Sequence, residues 1–342
     1  MKKYLFYNDY SEGAHPDILK AIENTNLVQE VGYGEDSYTE EAKRAILKEI
    51  GSENPDIHFV SGGTQANLIV LSSMMKPYES VISALSGHIN MHEAGAIEAT
   101  GHKIETIKTK DGKLTPEPII ELISLHQDEH MTKPKVVFIS NSTEVGTIYS
   151  KEDLEKIYRI CKKYNLYLYL DGARLGSALK AKNNNLTLSD ISRYTDAFYI
   201  GGTKNGALLG EAIVINNEEL NHEFRRHIKQ RGALLAKGRT MSIQFLEFFK
   251  NNLFFNLAKH ANKMAEKLSE GIKKSEYKFL TDSPTNQIFP ILPNEIIKKL
   301  EDLYGFYVWE KIDDKNCAIR LVTSWATKES AVKEFLKDLK KN

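Results

Sequence analysis

The sequence has little of what a secreted, membrane-spanning or disulfide-stabilised protein needs. Two of its 342 residues are cysteines, Cys161 and Cys317, which lie far apart and lack the spacing of metal ligands. A disulfide framework is therefore not expected, and a reducing compartment fits better. No apolar run approaches the roughly 18 residues needed to span a bilayer, and Asn8 and Asp9 interrupt the start before a signal-peptide core accumulates. We expect a cytoplasmic protein without a membrane segment.

Charge of one sign is also lacking. Lysine and arginine total 46, aspartate and glutamate total 46, and the formal net charge is zero. No sustained positive field is available to attract a nucleic acid or an anionic membrane surface. Hydrophobic residues at 41% and charged residues at 27% are ordinary for a globular protein, and the length suits one large domain with a smaller one.

Apolar strand runs and helical segments alternate through the first 240 residues. The runs predict strands at 57–60, 136–139, 166–170, 197–200 and 211–215, and helices at 40–50, 65–75 and 151–164. Such alternation predicts an α/β fold with a mostly parallel central sheet covered by helices. In such sheets a ligand lies beyond the carboxyl ends of the strands.

The pattern changes after about residue 240. A long helical region is expected over 241–274, followed by short strands and helices up to a final helix. We predict a large cofactor-binding domain over 1–240, which includes the N-terminal segment. A small α+β domain with an antiparallel sheet is predicted over 241–342.

An acidic residue, Asp171, closes the apolar run 166–170. A carboxylate at that place is costly to desolvate unless a cation or a hydrogen-bond donor meets it. Arg174 follows closely enough to be such a partner. The alternative is that Asp171 only caps the next helix.

Lys204 lies in a loop of small residues, Gly201-Gly202-Thr203-Lys204-Asn205-Gly206, directly after the run 197–200. A nucleophilic lysine needs little bulk around it and a place where its pKa can fall. One alternative is an exposed loop lysine. Another is a Walker-type phosphate loop, but its G-x-x-x-x-G-K-[ST] pattern is absent here.

A turn of glycines and hydroxyl residues, Ser61-Gly62-Gly63-Thr64, precedes the helix 65–75. Its N–H groups, its hydroxyls and the positive end of the helix favour an anion, although many such turns are only tight connections. With Asp171 and Lys204, this turn supplies a phosphate cradle, a carboxylate for a ring nitrogen and an amine for a carbonyl. Those are the needs of pyridoxal phosphate.

Three more side chains are candidates for the same site. His88 offers a flat ring that stacks on a cofactor, and Glu93 would orient a water or a proton. A lone histidine is, however, more often structural. Arg320, in a predicted strand of the small domain, would grip a substrate carboxylate with two parallel hydrogen bonds.

Six segments, in the same order and over most of the chain, resemble the low-specificity L-threonine aldolases. The most specific is Asp-Gly-Ala-Arg at the end of a strand. The six are Gly32-Tyr33-Gly34-Glu35-Asp36, Gly63-Thr64, His88 with Glu93-Ala94-Gly95, Asp171-Gly172-Ala173-Arg174-Leu175, Thr203-Lys204 and Arg320-Leu321-Val322-Thr323.

The resemblance implies a fold-type-I pyridoxal-phosphate enzyme, usually a homotetramer built from catalytic dimers with the active site at a subunit interface. It implies that Lys204 carries the cofactor as a Schiff base, that Asp171 pairs with the pyridinium nitrogen and that His88 stacks on the ring. Arg174 would contact the phenolic oxygen or the carboxylate side. The other implied cofactor contacts are Gly63, Thr64 and Thr203 near the phosphate, with Tyr33 and Arg239 reaching across from a neighbouring subunit.

The chain departs from that family in two places. Many relatives have a histidine, a candidate base, within Asn-Thr-His-Asn, where this chain has Asn141-Ser142-Thr143-Glu144. Near the amino end, relatives tend to have a serine for the substrate carboxylate, whereas this chain has Asn8-Asp9.

The expected reaction is retro-aldol cleavage of a β-hydroxy-α-amino acid, of the L-threonine or L-allo-threonine type, to glycine and an aldehyde. Arg320 would hold the substrate carboxylate, and the base would be His88 or a water held by Glu93 or Glu144. One alternative is a pyridoxal-phosphate-dependent β-eliminating lyase for another amino acid. A second is a sheet protein that has lost catalysis and binds a small anion or a partner, against which the presence of Lys204 argues.

Overall fold

A computed structural model of the chain describes residues 3–341. Its strands form one large sheet, one small sheet and a short pair at the amino end. They are β1 (Tyr4–Leu5), β2 (Asp56–Val60), β3 (Glu79–Ala84), β4 (Lys103–Ile107), β5 (Lys133–Ser140), β6 (Tyr167–Asp171), β7 (Ala197–Gly201), β8 (Glu211–Ile215), β9 (Gln287–Ile288), β10 (Ile291–Pro293), β11 (Tyr304–Gly305), β12 (Tyr307–Lys311) and β13 (Asn316–Val322).

The helices cover the large sheet first and the small sheet later. They are α1 (Pro16–Thr25), α2 (Ser37–Ile50), α3 (Gly63–Met74), α4 (His88–Met91), α5 (Pro116–Leu125), α6 (Lys151–Lys163), α7 (Leu175–Leu179), α8 (Leu188–Arg193), α9 (Glu218–Asn221), α10 (Phe224–Gln230), α11 (Arg239–Phe249), α12 (Leu253–Lys273), α13 (Asn294–Glu301) and α14 (Glu329–Lys340). Within residues 3–341, none of them combines the length and the apolar character needed to cross a membrane.

The large sheet has the strand order β2-β8-β7-β6-β5-β3-β4. All its neighbouring strands are parallel except the two pairs that β8 makes with β2 and β7. This confirms the predicted mostly parallel sheet. The carboxyl ends of β5, β6 and β7 therefore lie together at one edge, where Ser140 is paired with Asp171 and Gly201 with Glu211.

Side-chain alternation divides the strands between two cores. Leu168, Leu170 and Phe198 lie in the core on one face, with α2, α6 and α11. Tyr169 and Tyr199 lie in the core on the other face, with α3 and α10. Each fully buried large apolar side chain contributes on the order of 1.5–3 kcal/mol relative to exposure. The hydroxyl group of Tyr169 donates to Asn67 of α3, and that of Tyr199 donates to Asp171 at the end of β6.

The small sheet is antiparallel, in the order β10-β13-β12 with β9 beside β13, as predicted for the C-terminal part. Its core includes Leu268 of α12 and Phe335 of α14. Phe6 packs into the same core, because β1 pairs in parallel with β11. The boundary near residue 240 stays a prediction.

The long helical region expected over 241–274 is interrupted once in the structure. The structure has two helices, α11 and α12, separated by a short turn in which Asn251 and Asn252 have φ values of 53° and 57°. Asparagine tolerates this left-handed conformation better than most residues, so the pair ends one helix and starts the next. The break lets Phe245 and Phe248 of α11 pack against the large sheet.

Candidate active site

Lys204 lies in a tight turn, Thr203–Asn205, directly after β7. Glycines bring this turn against the one that follows β6, since a Cβ on Gly201 would lie 2.4 Å from the carbonyl oxygen of Ala173. Burial lowers the pKa of the Lys204 amine, and the cation of Arg174 lowers it further. The neighbouring carboxylates only partly oppose this, so the structure places a lysine with a lowered pKa where the sequence predicted one.

A buried carboxyl group closes the base of the lysine turn. Glu211, the first residue of β8, accepts hydrogen bonds from the Thr203 hydroxyl at 2.9 Å and from the Gly202 N–H at 2.9 Å. The Thr203 hydroxyl oxygen also accepts from the Gly210 N–H at 3.1 Å. Burial raises the pKa of Glu211 to about 8. The Thr203 side chain, predicted to lie near a phosphate, is thus held within its own loop.

Asp171 is almost fully buried at the end of β6, and its oxygens accept three hydrogen bonds. Oδ1 accepts from the Tyr199 hydroxyl at 2.6 Å and from the Ala173 N–H at 2.9 Å, and Oδ2 accepts from Asn67 Nδ2 at 3.1 Å. The N-cap of α7 is Arg174, so Asp171 does not cap that helix. Burial raises the pKa of Tyr199 well above its usual value, which keeps its hydroxyl protonated and donating.

A hydrogen-bonded chain joins Asp171 to His88. Asn67 Nδ2 donates to Glu93 Oε1 at 2.7 Å, and His88 Nδ1 lies 2.7 Å from the same oxygen. Burial lowers the pKa of His88, but the bond to Glu93 and the nearby Glu144 and Asp171 outweigh it and raise the pKa overall. The imidazolium form is thereby favoured. The second oxygen of Glu93, Oε2, is buried and has no hydrogen-bond partner within residues 3–341.

The expected pairing of Arg174 with Asp171 is wrong. Arg174 instead makes a bidentate ion pair with Asp9, with Nε donating to Oδ2 at 2.7 Å and Nη2 donating to Oδ1 at 3.0 Å. Asp171 does not need the cation, because the tyrosine and amide donors already satisfy it. The neighbouring Asn8 accepts instead from the Tyr10 N–H and the Ser11 hydroxyl and so forms a turn.

Arg320 of β13 lies against the rings of Tyr307 and Trp309, at 5.2 Å and 4.8 Å from guanidinium carbon to ring centre. Its Nη2 donates to the Tyr7 carbonyl at 3.4 Å. Its Nε is buried and unpartnered in the described part of the chain. Burial and the cation of Arg174 lower the pKa of Arg320. An oriented guanidinium with a free donor is suited to a carboxylate.

Thr143 and Glu144, which occupy the segment where many relatives have a histidine, have different surroundings. The Thr143 hydroxyl lies 2.7 Å from that of Thr147, within its own turn. Glu144 is buried and contributes to the electrostatic surroundings of His88, Arg174 and Lys204. Of the two, Glu144 is therefore the one near the lysine.

The start of α3 fits a phosphate group. Its N-cap is Gly62, which has no side chain to cap the first turn, and a Cβ at this position would meet nothing within 4 Å. Open space therefore lies before the first N–H groups of the helix, which include those of Gly63 and Thr64. The Ser61 hydroxyl donates to Gln65 Oε1 instead. Together with an amine of lowered pKa and a buried carboxylate, this cradle fits pyridoxal phosphate.

Tyr33 and Arg239 lie at a surface that contains several exposed apolar side chains. Tyr33 is 45% exposed, and its N–H donates to the Ala236 carbonyl at 3.1 Å. Arg239 Nη1 donates to the Val28 carbonyl. Leu27 in the same loop is 92% exposed. These contacts fix the backbone of Tyr33 and the side chain of Arg239 to neighbouring loop segments.

Four side chains that matter at this site were missed as candidates in the sequence: Asp9, Asn67, Tyr199 and Glu211. Tyr199 lies within an apolar run and has the pattern of a core residue, and Asn67 lies inside a helix. An acidic residue at the start of an apolar strand, as at Glu211, is the one local signal that was available.

Comparison with known proteins gives a consistent result. A family model described as beta-eliminating lyase matches residues 13–294. The low specificity L-threonine aldolase of Pseudomonas sp. (strain NCIMB 10558) is 32% identical to this chain, over 98% of it and 96% of the relative. A solved threonine aldolase structure from Leishmania major has a TM-score of 0.98 and 48% identity, over 99% of both chains. An aspartate aminotransferase from Thermus thermophilus, with a TM-score of 0.74 and 14% identity over 99% of this chain and 91% of its own, shares the fold. The predicted resemblance and fold-type-I architecture are confirmed.

Proposed function

The chain belongs to the beta-eliminating lyase family, and we propose that it is a pyridoxal-phosphate-dependent aldehyde-lyase. It cleaves β-hydroxy-α-amino acids of the L-threonine or L-allo-threonine type to glycine and an aldehyde. The observation that carries the proposal is the juxtaposition of Lys204, an amine of lowered pKa, and Asp171, a buried carboxylate, at neighbouring strand ends. Relatives that are at least 30% identical over 98% or more of this chain are named threonine aldolases.

Three parts of the chain would hold the cofactor. Lys204 would bind it through its amine, and the first N–H groups of α3 would bind its phosphate. Asp171 would keep a proton on the ring nitrogen, and Tyr199 and Asn67 hold the Asp171 carboxylate in place by donating hydrogen bonds to it. When bound, pyridoxal phosphate supplies an electron sink for the bond that breaks.

The remaining residues act on the substrate. Arg320 binds the α-carboxylate with its unpartnered Nε, and the rings of Tyr307 and Trp309 keep the guanidinium in place. A base removes the proton of the β-hydroxyl as the Cα–Cβ bond breaks, and a proton is returned to Cα of the glycine. Burial lowers the pKa of His88, but the bond to Glu93 and the nearby carboxylates raise it overall, and the His88 ring would stack on the cofactor. Glu144, which is buried near Lys204, would act as the base, directly or through a water.

Two measurements on the purified protein test the proposal. After addition of pyridoxal phosphate and reduction with borohydride, mass spectrometry should find the adduct on Lys204. Incubation with L-threonine should release glycine and acetaldehyde. Lys204→Ala should abolish both results, whereas Lys182→Ala, at a largely exposed lysine, should abolish neither. An adduct elsewhere, or no adduct, contradicts the cofactor site.

The second reaction type on this fold gives different products. A β-eliminating lyase would release pyruvate and ammonia from serine or cysteine, without an aldehyde. Assaying the same preparation for both product sets separates the two activities. Pyruvate without acetaldehyde would replace the aldolase by the eliminating lyase and would leave the cofactor site unchanged.

The active site is also proposed to lie at an interface between two subunits. Exposed apolar side chains favour this, among them Leu27, Val31 and Leu208. Arg239 would then reach the partner's site. If so, mixing subunits that carry Lys204→Ala with subunits that carry Arg239→Ala should restore about a quarter of the parent activity, since half the dimers are mixed and each has one intact site. No recovery would contradict a shared site, and light scattering gives the subunit number.

A further inference from the structure

Asp9 is a carboxylate that the N-terminal segment inserts into the interior of the protein. Its exposure is 1%, and both oxygens accept from Arg174, in the bidentate ion pair described above. Asn286 Nδ2 adds a third donor, at 2.8 Å from Oδ2. Two hydrogen bonds from the guanidinium group and one from the Asn286 amide thus compensate the buried charge of Asp9. Without such partners, a charge at this depth would be strongly destabilising.

The segment that carries Asp9 is fixed at both ends. On one side, the Phe6 N–H donates to the Gly305 carbonyl, and the Phe6 carbonyl accepts from the Val322 N–H. On the other side, the His15 N–H donates to the Gly206 carbonyl at 2.8 Å, which belongs to the loop that carries Lys204. The segment thus bridges the small sheet and the lysine loop, and Asp9 lies between these two attachments.

Asp9 and Lys204 face the same space. A small pocket is lined by both residues together with Arg174, Asn286 and the small residues of α7 and α12. Lys204 therefore has a cation and an anion as close neighbours on the side of the pocket that the N-terminal segment closes.

We propose that Asp9 is a positioning residue for this reaction, which holds Arg174 in a fixed orientation and balances its charge beside Lys204. The inference rests on the proposed function, because it concerns the lysine that would bind the cofactor. Without Asp9, Arg174 would be a buried and uncompensated cation next to that amine.

The charges around Lys204 give the sign of the effect. Arg174 lowers the pKa of Lys204, and Asp9 raises it. In turn, burial raises the pKa of Asp9, but Arg174 and Lys204 outweigh burial and lower it, so Asp9 is ionised at neutral pH. The other charged or titratable groups that face the lysine are Glu144, Asp171, Glu211, His88 and His92. They are the same in every variant below, so differences between variants report the Asp9–Arg174 pair.

The test follows the visible absorption of the lysine-bound cofactor, whose pH midpoint reports protonation of the Lys204 nitrogen. Asp9→Asn keeps the shape and removes the charge, and should lower the midpoint by about one pH unit, the low end for a close charge pair. Arg174→Gln should raise the midpoint, and the double variant should return close to the parent value. Glu12→Gln is the matched control, since it removes a carboxylate from the same segment that accepts from the Ser324 hydroxyl. Its midpoint should equal that of the parent.

One further variant and one further measurement separate charge from folding. Asp9→Glu restores the charge and should bring the midpoint back towards the parent value. If Asp9→Asn does not fold, the upward shift in Arg174→Gln alone still tests the charge balance. In cofactor-free protein, the pH dependence of Lys204 modification by an amine-reactive reagent gives the same comparison.

The inference is overturned if the parent, Asp9→Asn and Arg174→Gln share one midpoint, or if the control shifts as much as Asp9→Asn. If the parent protein did not cleave L-threonine, the proposed function would be contradicted. The pH midpoints of the lysine-bound cofactor would still decide the role of Asp9.

Discussion

Glu211 makes the stability of this protein depend on pH in a direction opposite to that of an ordinary surface carboxylate. Burial raises the pKa of Glu211 to about 8 from a usual value of 4.5. Between these two pH values the folded state keeps a proton that the unfolded state has released. Stability therefore falls as pH rises through this window, by up to about 1.4 kcal/mol per pH unit. The accumulated cost is about 4 kcal/mol at pH 8, where half of the folded molecules have released the proton, and it approaches about 5 kcal/mol at higher pH.

Glu211→Gln should remove this pH dependence. The amide is neutral at all pH values and fits the same bonds, since its oxygen accepts from the Gly202 N–H and its nitrogen donates to the Thr203 hydroxyl oxygen. The free energy of unfolding of the variant, relative to the parent, should increase steadily between pH 5 and pH 8. Near pH 5 the two proteins should be similar in stability.

Urea denaturation at four or more pH values measures this difference. Comparing variant and parent at each pH cancels the contribution of the other titrating groups. Glu266→Gln, at a half-exposed surface carboxylate on α12, is the matched control and should give a difference that does not change with pH. A constant difference between Glu211→Gln and the parent from pH 5 to pH 8 would refute the reasoning, because Glu211 would then titrate alike in both states.

Two further substitutions test the packing of the site and the binding of substrate. Gly201→Ala should lower the free energy of unfolding by more than about 2 kcal/mol, because its Cβ would lie 2.4 Å from the Ala173 carbonyl oxygen. Gly13→Ala is the control, since a Cβ at that position meets nothing within 4 Å. Thermal unfolding compares the two variants, and equal unfolding midpoints would contradict the close contact at Gly201. Arg320→Lys should raise KM for L-threonine about tenfold or more with a smaller change in kcat, because lysine lacks a second parallel donor. An unchanged KM in initial-rate assays would show that another residue holds the substrate carboxylate.

Much of the large sheet could be predicted from the sequence because the signals are local. The strand expected at 211–215 has those bounds in the structure, and the helix expected at 40–50 ends where predicted, at Gly51 with φ 76°. Its start was placed three residues late, since Asp36 caps it by accepting from the Thr39 N–H. Lys204 could be found because it lies in a six-residue loop of mostly small residues that directly follows a predicted strand.

The parts that could not be predicted depend on long-range contacts. Arg174 and Asp9 are 165 residues apart, and nothing near either residue indicates that they pair. The side-chain donors of Asp171 come from α3 and β7, and they are recognised only when the sheet order brings Asn67 and Tyr199 to the same edge. The break between α11 and α12 depends on two asparagines in a left-handed conformation, which helix-like spacing on both sides conceals.

The pairing of β1 with β11 has a consequence for synthesis of the protein. Tyr4 aligns with Tyr304, so the two strands are 300 residues apart in the chain. A ribosome releases the first strand long before its neighbour exists, and domains form as their own residues emerge. Asp9 follows β1 closely, so the N-terminal segment cannot be attached on that side of the lysine pocket until β11 has been made. A nascent or truncated chain would thus carry Lys204 before it carries a complete site.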